Sequence, residues 1–234
     1  MQASTVRVKR GRKQNQLADS AAGRRKRMTQ AERVALSDRR MFNATTLLIH
    51  ERGTHNTTLR DVGEKAGYSR ALAGARFGSK NDLFKELMAV FDQRWNEECR
   101  AFIGQRTGLA AFQASFDALV HFVTENTDYV RAMFILRYEM IGSSDAMRTR
   151  LSELHEMQKL EVQRWIREAI EDGSAKSNVV PERIAMQHSS FYFGLMYQWL
   201  VNPKKTDVKR AAHDFRGIIL SSISKQTTTA KVKH

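Results

Sequence analysis

Residues 57–83 read TTLRDVGEKAGYSRALAGARFGSKNDL, and the punctuation of this stretch decides the fold. Thr57 or Thr58 can cap a helix whose inward face is Leu59, Val62, Gly63 and Ala66. Gly67 breaks that helix, and Ser69 can cap a second, short one over 69–76. Phe77-Gly78-Ser79 breaks the chain again, ahead of a longer helix that opens at Lys80. The small residues Gly63 and Ala66 let the second helix cross close against the first, and Gly67 permits the tight turn between them. Upstream, Met41, Ala44, Thr45, Leu48 and Ile49 share one helical face, so a helix is expected over 30–51, stopped by Gly53. Three short helices with a tight turn between the second and third describe a helix-turn-helix head.

Working outward, apolar residues recur at helical spacing to the end of the chain, and strand-like alternation is almost absent. Helices are expected over 80–104, 107–125, 127–141, 145–172, 181–201 and 206–223. The two prolines, Pro181 and Pro203, both fall at breaks, and Pro181 suits a first helical position. The fold class is therefore all-α, about nine helices. The expected organisation is a basic arm over 1–28, disordered for want of large apolar groups, a head over 29–83, a larger helical domain over 84–223 and a flexible tail over 224–234.

The net charge of +14 is unevenly placed. Residues 1–31 hold nine Lys/Arg against one acid, 32–83 nine against six, 84–220 eighteen against eighteen, and 221–234 three against none. A polyanion would dock at the N-terminal end, because the helical body is neutral. A solubilising tail, or a nonspecific nucleic-acid binder driven by the arm, fits the same charge count. The single cysteine, Cys99, excludes an internal disulfide and a Cys-rich metal cluster. No apolar run is long enough to span a membrane and no secretory signal opens the chain, so a cytoplasmic protein without a membrane partner is expected. With no Gly-rich phosphate loop, paired carboxylates, nucleophile motif or HExxH spacing, no catalytic residue, cofactor or metal is expected.

The stretches Thr57–Val62, Ala66–Arg70 and Phe77–Leu83, with Glu51-Arg52-Gly53 ahead of them, resemble the TetR family of transcriptional regulators over about 35–90. The resemblance implies a homodimeric repressor that grips a palindromic double-stranded DNA operator and releases it on binding a small molecule. It implies a phosphate contact from Thr58, contacts from Ser69 and Arg70, and a phosphate at Lys80, where a helix N-terminus also favours an anion. This chain departs from the family in having Ala71 for the usual glycine and Gly74 for the usual tyrosine. Arg76 and the arm, through Arg24, Arg25 and Arg27, are then expected to replace the missing phosphate contact. Small side chains at Ala71, Ala73, Gly74 and Ala75 would permit close approach to thymine methyls. Arg60 and Tyr68 complete the candidate DNA-binding set. Each has a plain structural alternative: Thr58 and Ser69 as helix caps, Arg60, Arg70 and Arg76 as solvated charges, Tyr68 as core.

The family's C-terminal domain binds the inducer and forms the dimer. Phe112, Phe116, Met133, Phe134, Arg137, Tyr138, Trp165, Phe193 and Tyr197 are the expected pocket residues. Arg137 would meet the carboxylate of a hydrophobic or amphipathic inducer. The dimer interface is expected on the last two helices, at Tyr192, Met196, Trp199, Ala212, Phe215 and Ile219. His121, His155 and His188 are expected as satisfied core or surface histidines, and Cys99 as inert.

Overall fold

The structure, a computed structural model, describes residues 28–225. The arm residues Arg24, Arg25 and Arg27, and positions 226–234, lie outside the described residues. Nine helices follow one another among the described residues: α1 (Gln30–Arg52), α2 (Leu59–Lys65), α3 (Leu72–Phe77), α4 (Lys80–Ile103), α5 (Gly108–Glu125), α6 (Thr127–Met140), α7 (Asp145–Glu171), α8 (Pro181–Val201) and α9 (Val208–Ile223). No strand occurs among them, so the fold is all-α, with the helix-turn-helix at its N-terminal end.

The chain forms two units, which part inside α1 between Asp38 and Arg39. In the first, Thr29 and Glu32 open α1 with a reciprocal pair of bonds. Glu32 N donates to Thr29 Oγ1 at 3.2 Å, and Thr29 N donates to Glu32 Oε2 at 2.7 Å.

The second unit holds the rest of α1 and the other helices. Side-chain oxygens fix several starts: Ser79 accepts from Asp82 N at 3.1 Å, Ser144 from Met147 N at 3.3 Å and Asp207 from Arg210 N at 2.9 Å. The last of these starts α9 at Val208, two residues later than its periodicity indicates. Within α1, Met41, Ala44, Thr45, Leu48 and Ile49 are the buried residues, as the one-face pattern requires. One apolar core joins Met41, Ile49 and Val62 to Leu83, Phe84, Phe91, Phe134 and Tyr192. Packing is therefore continuous across position 83, and α4 belongs to head and body alike. A second core gathers Phe112, Phe116, Trp165, Ile166, Ile184, Ala212 and Ile219 from α5, α7, α8 and α9.

Ser224 and Lys225, assigned to the tail by composition, are ordered by pairing with the α7–α8 connection. Lys225 N donates to Ser174 O at 2.9 Å, Lys176 N to Ile223 O at 2.8 Å, and Ala175 and Ser224 form an isolated antiparallel bridge.

Candidate nucleic-acid interface and ligand cavity

The head is built around the contact of α2 with α3. Gly67 adopts φ +79°, where a side chain would be strained, and so makes the turn. Gly63 is buried, and Tyr68 N donates to its carbonyl at 2.9 Å. A Cβ at position 63 would lie 2.6 Å from Ser69 O. The chain from Tyr68 to Ala71 is thus held flat against α2, and α3 begins only at Leu72. This corrects the expected start at Ser69: the residue at the cap is Ala71, which makes no side-chain cap bond, and Ser69 is left exposed.

The exposed face of α3 follows from that start. Ala71, Leu72, Ala75 and Arg76 are exposed, and Gly74 is half-buried with open space around it. Ala73 is fully buried and so is removed from the face offered to a groove. Leu72 had no place in the sequence reading, although Leu72, Ala75 and Arg76 stand at the i, i+3, i+4 spacing of one helical face. It brings a large apolar side chain to the surface, suited to a thymine methyl.

Several of the head's cations are held by neighbouring groups. Arg70 pairs with Glu64, Arg76 with Glu86 at 3.1 Å, and Lys65 with Glu51 at 2.6 Å. Arg76 also lies 4.7 Å from the centre of the Phe77 ring. Arg60 is exposed and has no acidic neighbour among the described residues. Thr58 forms a capping box with Asp61: its Oγ1 accepts from Asp61 N at 3.2 Å and its hydroxyl donates to Asp61 Oδ2 at 2.7 Å. The Thr58 bonds, with Arg52 at 2.7 Å, hold the Asp61 carboxyl below its ordinary pKa. A phosphate at Thr58 must therefore compete with Asp61 for the hydroxyl proton. Lys80 donates to the carbonyls of Thr54 and His55 at 3.2 and 3.4 Å. Tyr68 is half-buried and packs on the core.

The α1–α2 turn is also held from the body. Glu139 of α6 accepts from Thr54 N at 2.9 Å and from the Thr54 hydroxyl. The turn is thereby bonded to α6 through Glu139 and to α4 through Lys80.

In the body, a cavity of about 290 Å³ lies among α4, α5, α7 and α8. Of the expected pocket residues, Phe116 and Trp165 line it. Phe112 stands behind, its ring 5.3 Å from Phe116 and 5.6 Å from His188. No residue of α6 lines the cavity. Met133 and Phe134 are core, and the Tyr138 hydroxyl donates to Phe193 O at 2.6 Å. Phe193 lies against His155 with ring centres 4.1 Å apart and planes tilted by 39°, and Tyr197 is exposed. Arg137 is buried and donates to Asp92 at 2.8 Å, and Arg150 of α7 reaches the other oxygen of Asp92 at 3.2 Å. One nitrogen of Arg137, the cation expected to meet an inducer carboxylate, is thus held by a buried carboxylate of its own chain, while its Nε and Nη1 have no hydrogen-bond partner among the described residues.

Sequence reasoning passed over Trp95, Cys99, Gln158, His188 and Tyr192 as cavity residues. His188 sits within 5.1 Å of the Phe116 ring and 3.4 Å from Ser115 Oγ. Loss of water lowers its pKa to about 4, so the ring is neutral at neutral pH. Burial raises the Cys99 thiol to about 12, which keeps it protonated and unreactive.

Tyr192, Met196, Trp199, Ala212 and Ile219 are buried within the protomer, and Phe215 stacks on Phe191 at 4.1 Å. The faces that α8 and α9 leave uncovered carry Met186, Tyr197, Val201 and Ile218 instead.

Residues 42–87 match the family described as bacterial regulatory proteins, tetR family. The chain is 21% identical over 178 residues to the HTH-type transcriptional regulator AcrR of Shigella flexneri, covering 74% of this chain and 82% of that protein. In fold it is similar to a TetR transcription regulator from Haloarcula marismortui, with TM-score 0.72, 16% identity, and 81% and 98% of the two chains covered. It is similar also to the SmeT–triclosan complex, with TM-score 0.69, 17% identity, and 82% and 93% covered.

Proposed function

We propose that this chain, a transcriptional regulator of the tetR family, is a repressor that holds a palindromic operator as a homodimer and releases it on binding a small hydrophobic or amphipathic molecule. The supporting observation is the double duty of α4. Its first turn is bonded to the α1–α2 turn through Lys80, and its last turns, from Trp95 to Ile103, line the cavity. An occupant that displaces α4 moves the head, which takes the two recognition helices off their half-site spacing.

In this reading residues 29–83 are the DNA-binding part and 84–223 the ligand-binding and dimerisation part, working in the cytoplasm. Leu72, Ala71, Ala75, Ser69 and Arg70 read the groove. Thr58, Arg60, Arg76 and Lys80 serve phosphates, joined by Arg24, Arg25 and Arg27 of the arm. Met186, Tyr197, Val201 and Ile218 form the face between protomers.

Selection of binding sites from random duplexes with the purified protein tests this. A palindrome with half-sites about one helical turn apart supports it. Enrichment without sequence preference, and with full salt sensitivity, overturns it in favour of a nonspecific nucleic-acid binder.

A further inference from the structure

Between Arg70 and Arg76 the chain reads Ala71, Leu72, Ala73, Gly74 and Ala75, five residues without a polar side-chain atom. Ala71, Leu72 and Ala75 are exposed, Gly74 is half-buried with open space where a Cβ would stand, and Ala73 is buried. At 3.6 residues per turn, Ala71, Ala75, Leu72 and Arg76 follow one another across the exposed arc of α3, so Ala75 and Leu72 hold its centre. Leu72, 37% exposed, is the one large apolar side chain of α2 and α3 left at the surface. The arginines at the two ends of the run are each bonded to a carboxylate of a neighbouring helix, Arg70 to Glu64 and Arg76 to Glu86. The middle of the exposed arc therefore has only aliphatic carbon to offer a partner.

The partner of this face is duplex DNA. The surplus of Lys and Arg lies in the first 83 residues, and residues 42–87 match the tetR regulators. Phosphate contacts from the flanks of the head would seat it on the duplex without choosing a sequence. In the major groove each base edge presents hydrogen-bond donors and acceptors, and the aliphatic group found there is the C5-methyl of thymine. Donors and acceptors covered by Leu72 and Ala75 would lose water and gain no bond, whereas a methyl would gain contact. We propose that α3 chooses its operator through thymine C5-methyl groups, with Leu72 and Ala75 seated on the methyls of one or two thymines in each half-site and Ala71 and Gly74 letting the helix come close. This rests on the reading of the head as the operator-binding part and names the chemistry by which that part selects sequence.

The probe is the duplex recovered by selection from random sequences, resynthesised with deoxyuridine in place of each thymidine in turn. That change removes the methyl and keeps the base pair. Affinity for the full-length protein is read by fluorescence anisotropy. One or two positions in each half-site should lose roughly 3- to 5-fold on conversion to uracil, the worth of one buried methyl, and about 10-fold when both half-sites are changed together. At the same positions 5-methylcytosine should bind at least 2-fold more tightly than cytosine, because it restores the methyl in place. Leu72→Ala should bind the thymine duplex more weakly and tell thymine from uracil at one of those positions by less than 1.5-fold. Its log–log salt slope should equal that of the parent, since no phosphate contact is lost. Leu72→Met, which keeps an apolar side chain of similar volume, should retain the discrimination. Circular dichroism checks the fold of both variants, and the uracil series itself uses the unaltered protein. Indifference to uracil at every position, or a folded Leu72→Ala protein that keeps the full thymine-to-uracil ratio, overturns the proposal. A selected palindrome that binds equally well without its methyls leaves the operator-binding reading standing and removes methyl readout. A selection that returns no preferred sequence removes both.

Discussion

Two glycines of the helix-turn-helix should respond to the same substitution with opposite signs. Both Gly63 and Gly74 lie inside helices, where Ala is ordinarily favoured by about 0.5–1 kcal/mol. A Cβ at Gly74 meets nothing within 4 Å, so Gly74→Ala should deliver that gain unopposed. At the ~2–4 °C per kcal/mol of a chain this size, its melting temperature should rise by about 1–4 °C. At Gly63 the added Cβ would lie 2.6 Å from Ser69 O, against 3.4 Å or more for ordinary contact. The obstacle is backbone, and Ser69 O also accepts from Leu72 N at 3.1 Å, so it cannot withdraw without disturbing the first turn of α3. Overpacking of this kind costs about 1–3 kcal/mol, which outweighs the propensity gain and leaves a net loss of about 1–2 kcal/mol. Gly63→Ala should therefore melt about 2–8 °C below the parent. Because α3 shifts with Ser69, operator affinity should fall at least 10-fold in Gly63→Ala, measured by fluorescence anisotropy below the melting range. Thermal melts by circular dichroism decide the stability arm. A Gly63→Ala protein as stable as the parent, or a destabilised Gly74→Ala, refutes the close approach as the determinant of the α2–α3 crossing.

Three further tests follow from the same structure. The His188 pKa is lowered from 6.5 to about 4, so between those values the unfolded chain binds a proton that the folded protein refuses; stability is full above pH 6.5 and falls by about 1.4 kcal/mol per pH unit toward 4. His188→Gln should flatten the difference between melts at pH 7 and pH 5 by about 2 kcal/mol, and an unchanged pH profile rules this out. Asp92→Ala strands Arg137, 3% exposed, and should cost about 3–5 kcal/mol in urea denaturation, whereas Asp92→Leu combined with Arg137→Met should recover most of it; equal losses in both proteins would contradict the pairing. Deleting residues 2–27 should weaken operator binding and flatten its log–log salt dependence by about 0.9 for each phosphate released, and an unchanged slope assigns the arm to solvation alone.

What could be read from the chain depended on how far apart the deciding groups lie. Helix ends were legible because their causes are local: a cap at Ser79, a proline at position 181, a positive-φ glycine at 67. The buried face of α1 was legible for the same reason, since its period is carried within a dozen residues. The start of α3 was not, although Ser69 is a good capping residue. Its place is set by a carbonyl resting on Gly63, a tertiary contact that overrides the cap preference.

The cavity shows the same limit over longer distances. An aromatic or methionine at helical spacing looks identical whether it faces a void or a neighbour, so Phe116 and Trp165 could not be told from Phe134 and Met133. Arg137 makes the point most sharply. An arginine on a largely apolar helix needs an anion, and the nearest one in sequence, Glu139, is taken by Thr54. The anion it meets, Asp92, lies 45 positions away on α4, among residues that otherwise form an ordinary buried stripe.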